Sequence, residues 1–208
     1  MEVRTFPLGP LQTNCFVIAS DSEAVAIDPG GDPGSVLRFL EERGLTLTHI
    51  LNTHFHFDHI HGNAALTEAT SAPILASDGD ASLMQVEVFG GGFMGFPAVP
   101  KFEYQTIESG PASFLGEECQ VLATPGHSPG SVSFYFPGLK RVFAGDLIFA
   151  RSIGRTDFPG GDMETLLTSV REKIFTLPEE TVIHSGHGAD TSVGEEKEHN
   201  PFFSSYSL

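Results

Sequence analysis

The stretch Thr53-His54-Phe55-His56-Phe57-Asp58-His59 places three imidazoles and a carboxylate within a few residues, directly after the strand-like segment Thr48 to Asn52. Side chains two apart in an extended backbone project to the same side, so His54 and His56 address one point. Asp58 and His59 follow where the pattern turns helical, and they can address a second. Neutral imidazole suits zinc, iron and nickel, and a carboxylate beside it adds negative charge and a hard oxygen. One ion does not need so many ligands from one loop, so the density itself predicts a metal site.

Three further residues stand at the ends of predicted strands, each with glycine beside it. They are His127 in Thr124-Pro-Gly-His-Ser-Pro-Gly-Ser, Asp146 in Phe143-Ala-Gly-Asp, and His187 in Ser185-Gly-His-Gly. Glycine permits tight turns and close backbone approach. With the dense loop they make five histidines and two aspartates, enough for two metals that share one bridging carboxylate.

Working outward, Glu2 to Phe6, Asn14 to Ser20 and Ala24 to Ile27 read as strands, rich in Val, Ile and Phe and bounded by Pro, Gly or Asp. Asp32 then caps a helix with Pro33 at its first position, and Gly44 ends it. Helices are expected over His59 to Thr70, Asp78 to Val88 and Met163 to Phe175, the last amphipathic through Leu166, Leu167, Val170 and Ile174. Pro73 to Ala76, Gln120 to Thr124, Ser131 to Phe136, Arg141 to Ala144 and Thr181 to His184 read as further strands. Strands followed by helices, twice over, predict two packed sheets with helices outside. The glycine- and phenylalanine-rich segment 89–100 is expected to be a loop, either an apolar lid or a connector.

The chain has 208 residues, 40% of them apolar, which is enough for one domain over 1–208 with a sizeable core. Its formal charge of −16 disfavours binding to nucleic acid or to an anionic membrane. Met1 to Ser20 shows no basic stretch followed by an apolar run, and no apolar run approaches the roughly 18 residues of a membrane span. The expectation is a cytoplasmic protein, a monomer or small homo-oligomer. Cys15 and Cys119 lie in separate apolar contexts and read as buried free thiols.

At these motifs the chain resembles the metallo-beta-lactamase fold superfamily, and within it the glyoxalase II (hydroxyacylglutathione hydrolase) branch, in its compact bacterial type without a C-terminal helical domain. The resemblance implies a four-layer αββα sandwich of two mixed sheets with outer helices. It implies that His54, His56 and His127 hold a first metal, that Asp58, His59 and His187 hold a second, and that Asp146 bridges them. Asp28 then matches an aspartate that supports the histidine loop from behind the ligands. Arg155, in Gly154-Arg155-Thr156-Asp157-Phe158, matches a residue that contacts the glutathione backbone, although Asp157 stands where many of those enzymes carry an aromatic residue.

The cofactors so implied are two divalent metal ions, zinc first, with iron or manganese as alternatives. The partner is a small-molecule thioester such as S-lactoylglutathione. Hydroxide formed at the metals would attack the carbonyl, with Asp58 orienting it, and no serine or cysteine nucleophile is required. Two other readings stay open. A mononuclear iron persulfide dioxygenase shares the histidine pattern and the Gly-Arg-Thr-Asp-Phe segment, and a lactonase or a noncatalytic metal-binding module would use the same donors.

Overall fold

A computed structural model describes residues 1–89 and 98–203. The segment 89–100, read above as lid or connector, therefore lies for its greater part outside the described residues. Two compact units result, Met1–Ile107 with Phe114–Gly116, and Glu108–Ser113 with Glu117–Leu208.

The first unit is built on a six-stranded sheet in chain order. Its strands are β1 (Glu2–Leu8), β2 (Thr13–Ala19), β3 (Glu23–Ile27), β4 (Thr46–Leu51), β5 (Ile74–Ala76) and β6 (Gln105–Thr106). β1, β2 and β3 pair antiparallel, and β3 through β6 pair parallel, so the sheet is mixed. β2 is buried along its whole length, as expected of a strand covered on both faces. Helices α1 (Gly34–Arg43), α2 (Phe57–Ile60), α3 (Asn63–Thr70) and α4 (Ala81–Phe89) follow the strands. Val36, Phe39 and Leu40 of α1 join Val17, Ala26, Ile50, Leu66 and Ile74 in one buried cluster.

Two sequence expectations change here. α1 begins at Gly34, with Pro33 rather than Asp32 at the cap position, and Asp32 Oδ1 accepts from Gly34 N at 3.2 Å. The helix expected over His59 to Thr70 is broken into α2 and α3. The break falls at Gly62, whose N–H donates to Pro29 O at 2.7 Å. A Cβ on Gly62 would collide with the Gly31 and Pro29 carbonyl oxygens. This close approach of two backbones interrupts what the sequence reads as one helix.

The second unit carries the other mixed sheet, in the order β14-β13-β10-β9-β8-β7. Here β7 is Gly110–Phe114, β8 Glu117–Ala123, β9 Val132–Phe136, β10 Arg141–Gly145, β13 Val182–Ser185 and β14 Thr191–Ser192. β10 and β13 pair parallel, whereas β8–β9, β9–β10 and β13–β14 pair antiparallel, so this sheet too is mixed. A two-stranded ribbon, β11 (Ile148–Phe149) and β12 (Ser152–Ile153), leaves β10. The amphipathic helix is α5 (Met163–Ser169) running into a π-helical turn, Val170–Ile174, and Leu166, Val170 and Ile174 are fully buried against Val142 and Ile183. α6 (Val193–His199) is polar outside but buries Glu196, whose carboxylate accepts from Arg151, Thr191 and Asn200. That network ties α6 to the β11–β12 ribbon.

Cys15 and Cys119 are both buried free thiols, and burial pushes each well above the usual thiol range. Among the described residues no helix is long and apolar enough to cross a membrane.

Candidate metal centre

β4 delivers the chain to the histidine loop. The last rung of its ladder with β5 is Asn52 N donating to Leu75 O at 3.0 Å, and every residue from Thr53 to Ile60 is buried. A buried loop without ladder partners must satisfy its N–H groups elsewhere. Asp28, at the end of β3, supplies one acceptor. Its backbone is left-handed (φ 53°), a conformation that costs most residues but that Asp tolerates, and it turns the carboxylate back over the loop. Oδ1 accepts from Thr53 N at 2.8 Å, and Oδ2 accepts from Thr53 Oγ1 at 2.6 Å and lies 2.9 Å from His59 Nδ1.

These contacts determine where the imidazole protons sit. An ionised carboxylate only accepts, so His59 carries its proton on Nδ1 and presents the Nε2 lone pair. Thr53 has one hydroxyl proton, and it goes to Asp28. The 3.0 Å contact between Thr53 Oγ1 and His54 Nδ1 must therefore have the imidazole donating, so His54 also presents Nε2. Ring centroids of His54 lie 4.8 Å from His56 and 4.1 Å from His59. Asp28, His54 and His59 bring one ligand atom each within 4.8 Å of one another. The Asp28 oxygens already accept three hydrogen bonds, two from Thr53 and one from His59, and so fix the orientation of the His59 ring. Asp58, in the first turn of α2, is buried; its Oδ2 accepts from Thr13 Oγ1 at 3.0 Å and stands 3.7 Å from His59 Nε2.

In the second unit, Asp146 follows β10, His127 lies between β8 and β9, and His187 follows β13. Asp146 Oδ2 is 3.7 Å from His127 Nε2 and 3.6 Å from His187 Nε2. These separations are too long for hydrogen bonds. They fit co-ligands: two donors at about 2.1 Å from a tetrahedral ion stand about 3.4 Å apart. His127 is oriented like the others, since its Nδ1 lies 2.7 Å from Arg155 O and a carbonyl can only accept. Gly154 makes this possible. A Cβ there would overlap the Asp146 carbonyl and press on His127 Nδ1 at 3.4 Å.

Arg155 thus meets the histidine through its backbone. Its exposed guanidinium donates from Nε and from a terminal nitrogen to Asp157 Oδ1 and Oδ2, both at 2.7 Å, and stacks on Phe158 at 3.8 Å. The cation holds the Asp157 carboxyl down to about 2. Elsewhere, burial and the Asp58 charge push Glu87 on α4 up to about 7.

The first unit therefore gathers Asp28, His54, His56, Asp58 and His59, and the second gathers His127, Asp146 and His187. Sequence reading passed over Thr53, Thr13 and Asp80, whose buried carboxylate accepts from Phe55 N. Thr53 was open to recognition, because it adjoins His54 and carries a hydroxyl. Thr13 and Asp80 act across long stretches of chain and leave no local signal. Of the remaining histidines, His184 is buried at the end of β13, stacked on Phe143 and hydrogen-bonded to Arg141 and Asp190.

Residues 8–187 match the metallo-beta-lactamase superfamily. The chain is 40% identical over 211 residues to the probable metallo-hydrolase YqgX of Bacillus subtilis (strain 168), covering 100% of both. It is 35% identical over 212 residues to the hydroxyacylglutathione hydrolase GloC of Haemophilus influenzae, again covering 100% of both. Among solved structures, TTHA1623 in a di-iron-bound form superposes with a TM-score of 0.88 at 38% identity, over 96% of this chain and 99% of that one. The BLEG-1 B3 metallo-beta-lactamase gives 0.86 at 38%, over 97% and 99%. ETHE1 from Myxococcus xanthus gives 0.75 at 34%, over 97% and 84%. The α/β fold class with two mixed sheets and helices is that of these proteins.

Proposed function

The chain belongs to the metallo-beta-lactamase superfamily, and from that premise we propose that it is a dinuclear metal-dependent hydrolase cleaving a thioester of the S-lactoylglutathione type. The observation that carries the dinuclear reading is the Asp146 carboxylate. One of its oxygens stands at co-ligand distance from two histidines at once, His127 and His187, as a bridging ligand must. In this reading His54, His56 and His127 hold one ion, Asp58, His59 and His187 hold the other, and Asp146 serves both. The donor set, imidazole with carboxylate, fits zinc, and the di-iron form of TTHA1623 keeps iron in view. Divalent ions bound there would supply Lewis acidity and lower the pKa of water from 15.7 to about 7.

The chain's own residues do the rest. Asp28, through Thr53 and directly, keeps the protons of His54 and His59 on Nδ1, and the Arg155 carbonyl does the same for His127. Asp58, steadied by the Thr13 hydroxyl, would accept a hydrogen bond from the attacking water and so aim it. A thiolate leaving group needs little proton donation, so the shortage of acids among these residues is no obstacle. Support for a glutathione thioester comes from the likeness to GloC and from the Arg155 segment. The Arg155 guanidinium is held rigid by Asp157 and Phe158 and would meet an anionic thiol carrier without further ordering.

The test is elemental analysis of protein purified without added metal, joined to a panel of thioesters, lactones and persulfides. Two metals per chain with S-lactoylglutathione cleavage is the expected result. One iron with oxygen uptake on glutathione persulfide, and no thioesterase activity, would decide for a dioxygenase.

A further inference from the structure

The loop that carries His54 and His56 is gripped by a second carboxylate besides Asp28. Asp80 ends the 3₁₀ turn Asp78–Asp80 that follows β5. It is 1% exposed, and its Oδ2 accepts from Phe55 N at 3.1 Å. Phe55 is the residue between the two imidazoles. Its ring is fully buried and packs edge-on against Tyr104 at 5.0 Å and Phe102 at 6.0 Å. Tyr104 in turn donates its hydroxyl to Asp78 Oδ1 at 3.0 Å, in the same 3₁₀ turn as Asp80. Backbone and side chain of Phe55 are thus both held from one small platform.

The pattern has a physical logic. Past Asn52 the β4–β5 ladder gives out, yet the chain stays buried. Thr53 N then goes to Asp28 and Phe55 N to Asp80, so two carboxylates take the place of the missing strand partner at alternate residues. Burying an aspartate is costly, and a water-facing residue would be the cheaper choice if only burial of Phe55 were at stake.

From this we infer that Asp80 is a positioning residue for the metal ligands His54 and His56, its carboxylate fixing the backbone between them so that both imidazoles stay at chelating spacing. This rests on the metal reading of the site above. The role belongs to the acceptor oxygen, so Asp80→Asn, which keeps one, should preserve it. Asp80→Ala should not.

The test is a competition titration of metal-free protein with zinc or cobalt(II) against a chromophoric chelator, for wild type and both variants, with thermal unfolding of the metal-free forms in parallel. Asp80→Ala should bind its tighter equivalent about 10- to 100-fold more weakly, the usual loss when an outer support of a metal ligand is removed, while Asp80→Asn stays within about 3-fold of wild type. If Asp80→Ala does not fold, Asp80→Ser replaces it, its hydroxyl being too short to reach Phe55 N. Wild-type metal affinity in Asp80→Ala or Asp80→Ser, with only the melting temperature lowered, would overturn the proposal in favour of a purely structural role. Equal losses in the alanine and asparagine variants would overturn positioning through the hydrogen bond. Wild type that binds no metal would overturn the reading of the site itself, and this role with it.

Discussion

Replacing Asp28 by asparagine alters almost nothing in shape, yet it should reverse the protonation pattern of the loop. The amide oxygen can keep the bond to Thr53 N, but its NH₂ then faces Thr53 Oγ1 and His59 Nδ1, which both donate in the wild type. The cheapest escape is for His59 to move its proton to Nε2 and accept from the amide through Nδ1. That places a proton on the nitrogen meant for the metal. To bind an ion, His59 must revert and leave a donor facing a donor. A hydrogen bond involving a charged group contributes about 1.5–3 kcal/mol, so reversion should weaken binding by about 10- to 100-fold at roughly 1.4 kcal/mol per decade. The same range is typical for outer partners of metal-bound histidines. Competition titration with zinc against a chelator measures this directly, and the melting temperature of the chelated variant reports whether the fold has suffered. A variant that binds both equivalents with wild-type affinity would refute the tautomer argument, because the charge and both accepted bonds at Oδ2 would then be irrelevant to the ligands.

Asp146→Ala should lose both metals or nearly so, whereas His187→Ala should mainly weaken one equivalent; elemental analysis after dialysis against limiting zinc distinguishes them. Arg155→Ala should raise KM for a glutathione thioester while leaving metal content and turnover of a small neutral thioester near wild type, because the His127 contact is made by the backbone carbonyl. Equal losses on both substrates, or a fall of several degrees in melting temperature, would assign the guanidinium to holding Asp157 and Phe158 instead. Glu87 offers a pH signature in the chelated protein. Its folded carboxyl is raised from 4.5 to about 7, so the stability linked to it is fully present below about pH 4.5 and lost as pH rises through 7. Glu87→Gln should therefore gain stability at pH 8 and not near pH 4.5, by about 1 kcal/mol once solvent screening of a half-exposed group is allowed for. A gain of the same size at both pH values would remove the carboxyl charge as its cause.

The candidate ligand residues stood out in the sequence because their pattern is local. His54, His56, Asp58 and His59 are close in the chain, and strand periodicity alone turns the first two to one side. His127, Asp146 and His187 each mark a strand end beside a glycine, and the buried strands β2, β9 and β10 showed themselves through Val-, Ile- and Phe-rich segments bounded by turn residues. What holds those side chains in place was not legible. Asp80 reaches Phe55, Thr13 reaches Asp58, and the Arg155 carbonyl reaches His127, all across long separations that leave no trace in spacing. Arg155 shows the difference well: the sequence offers its guanidinium, while tertiary structure employs its carbonyl and gives the guanidinium to Asp157. Strands as short as β6, β11, β12 and β14 exist only because a neighbour supplies their hydrogen bonds. Likewise, α6 is polar along nearly all its length and is secured by the buried Glu196 and its contacts to Arg151, Thr191 and Asn200. Chemistry that depends on side-chain type and near-neighbour geometry is written in the chain itself. Proton placement, loop support and helix breaks such as the one at Gly62 depend on which distant groups meet, and only folding decides that.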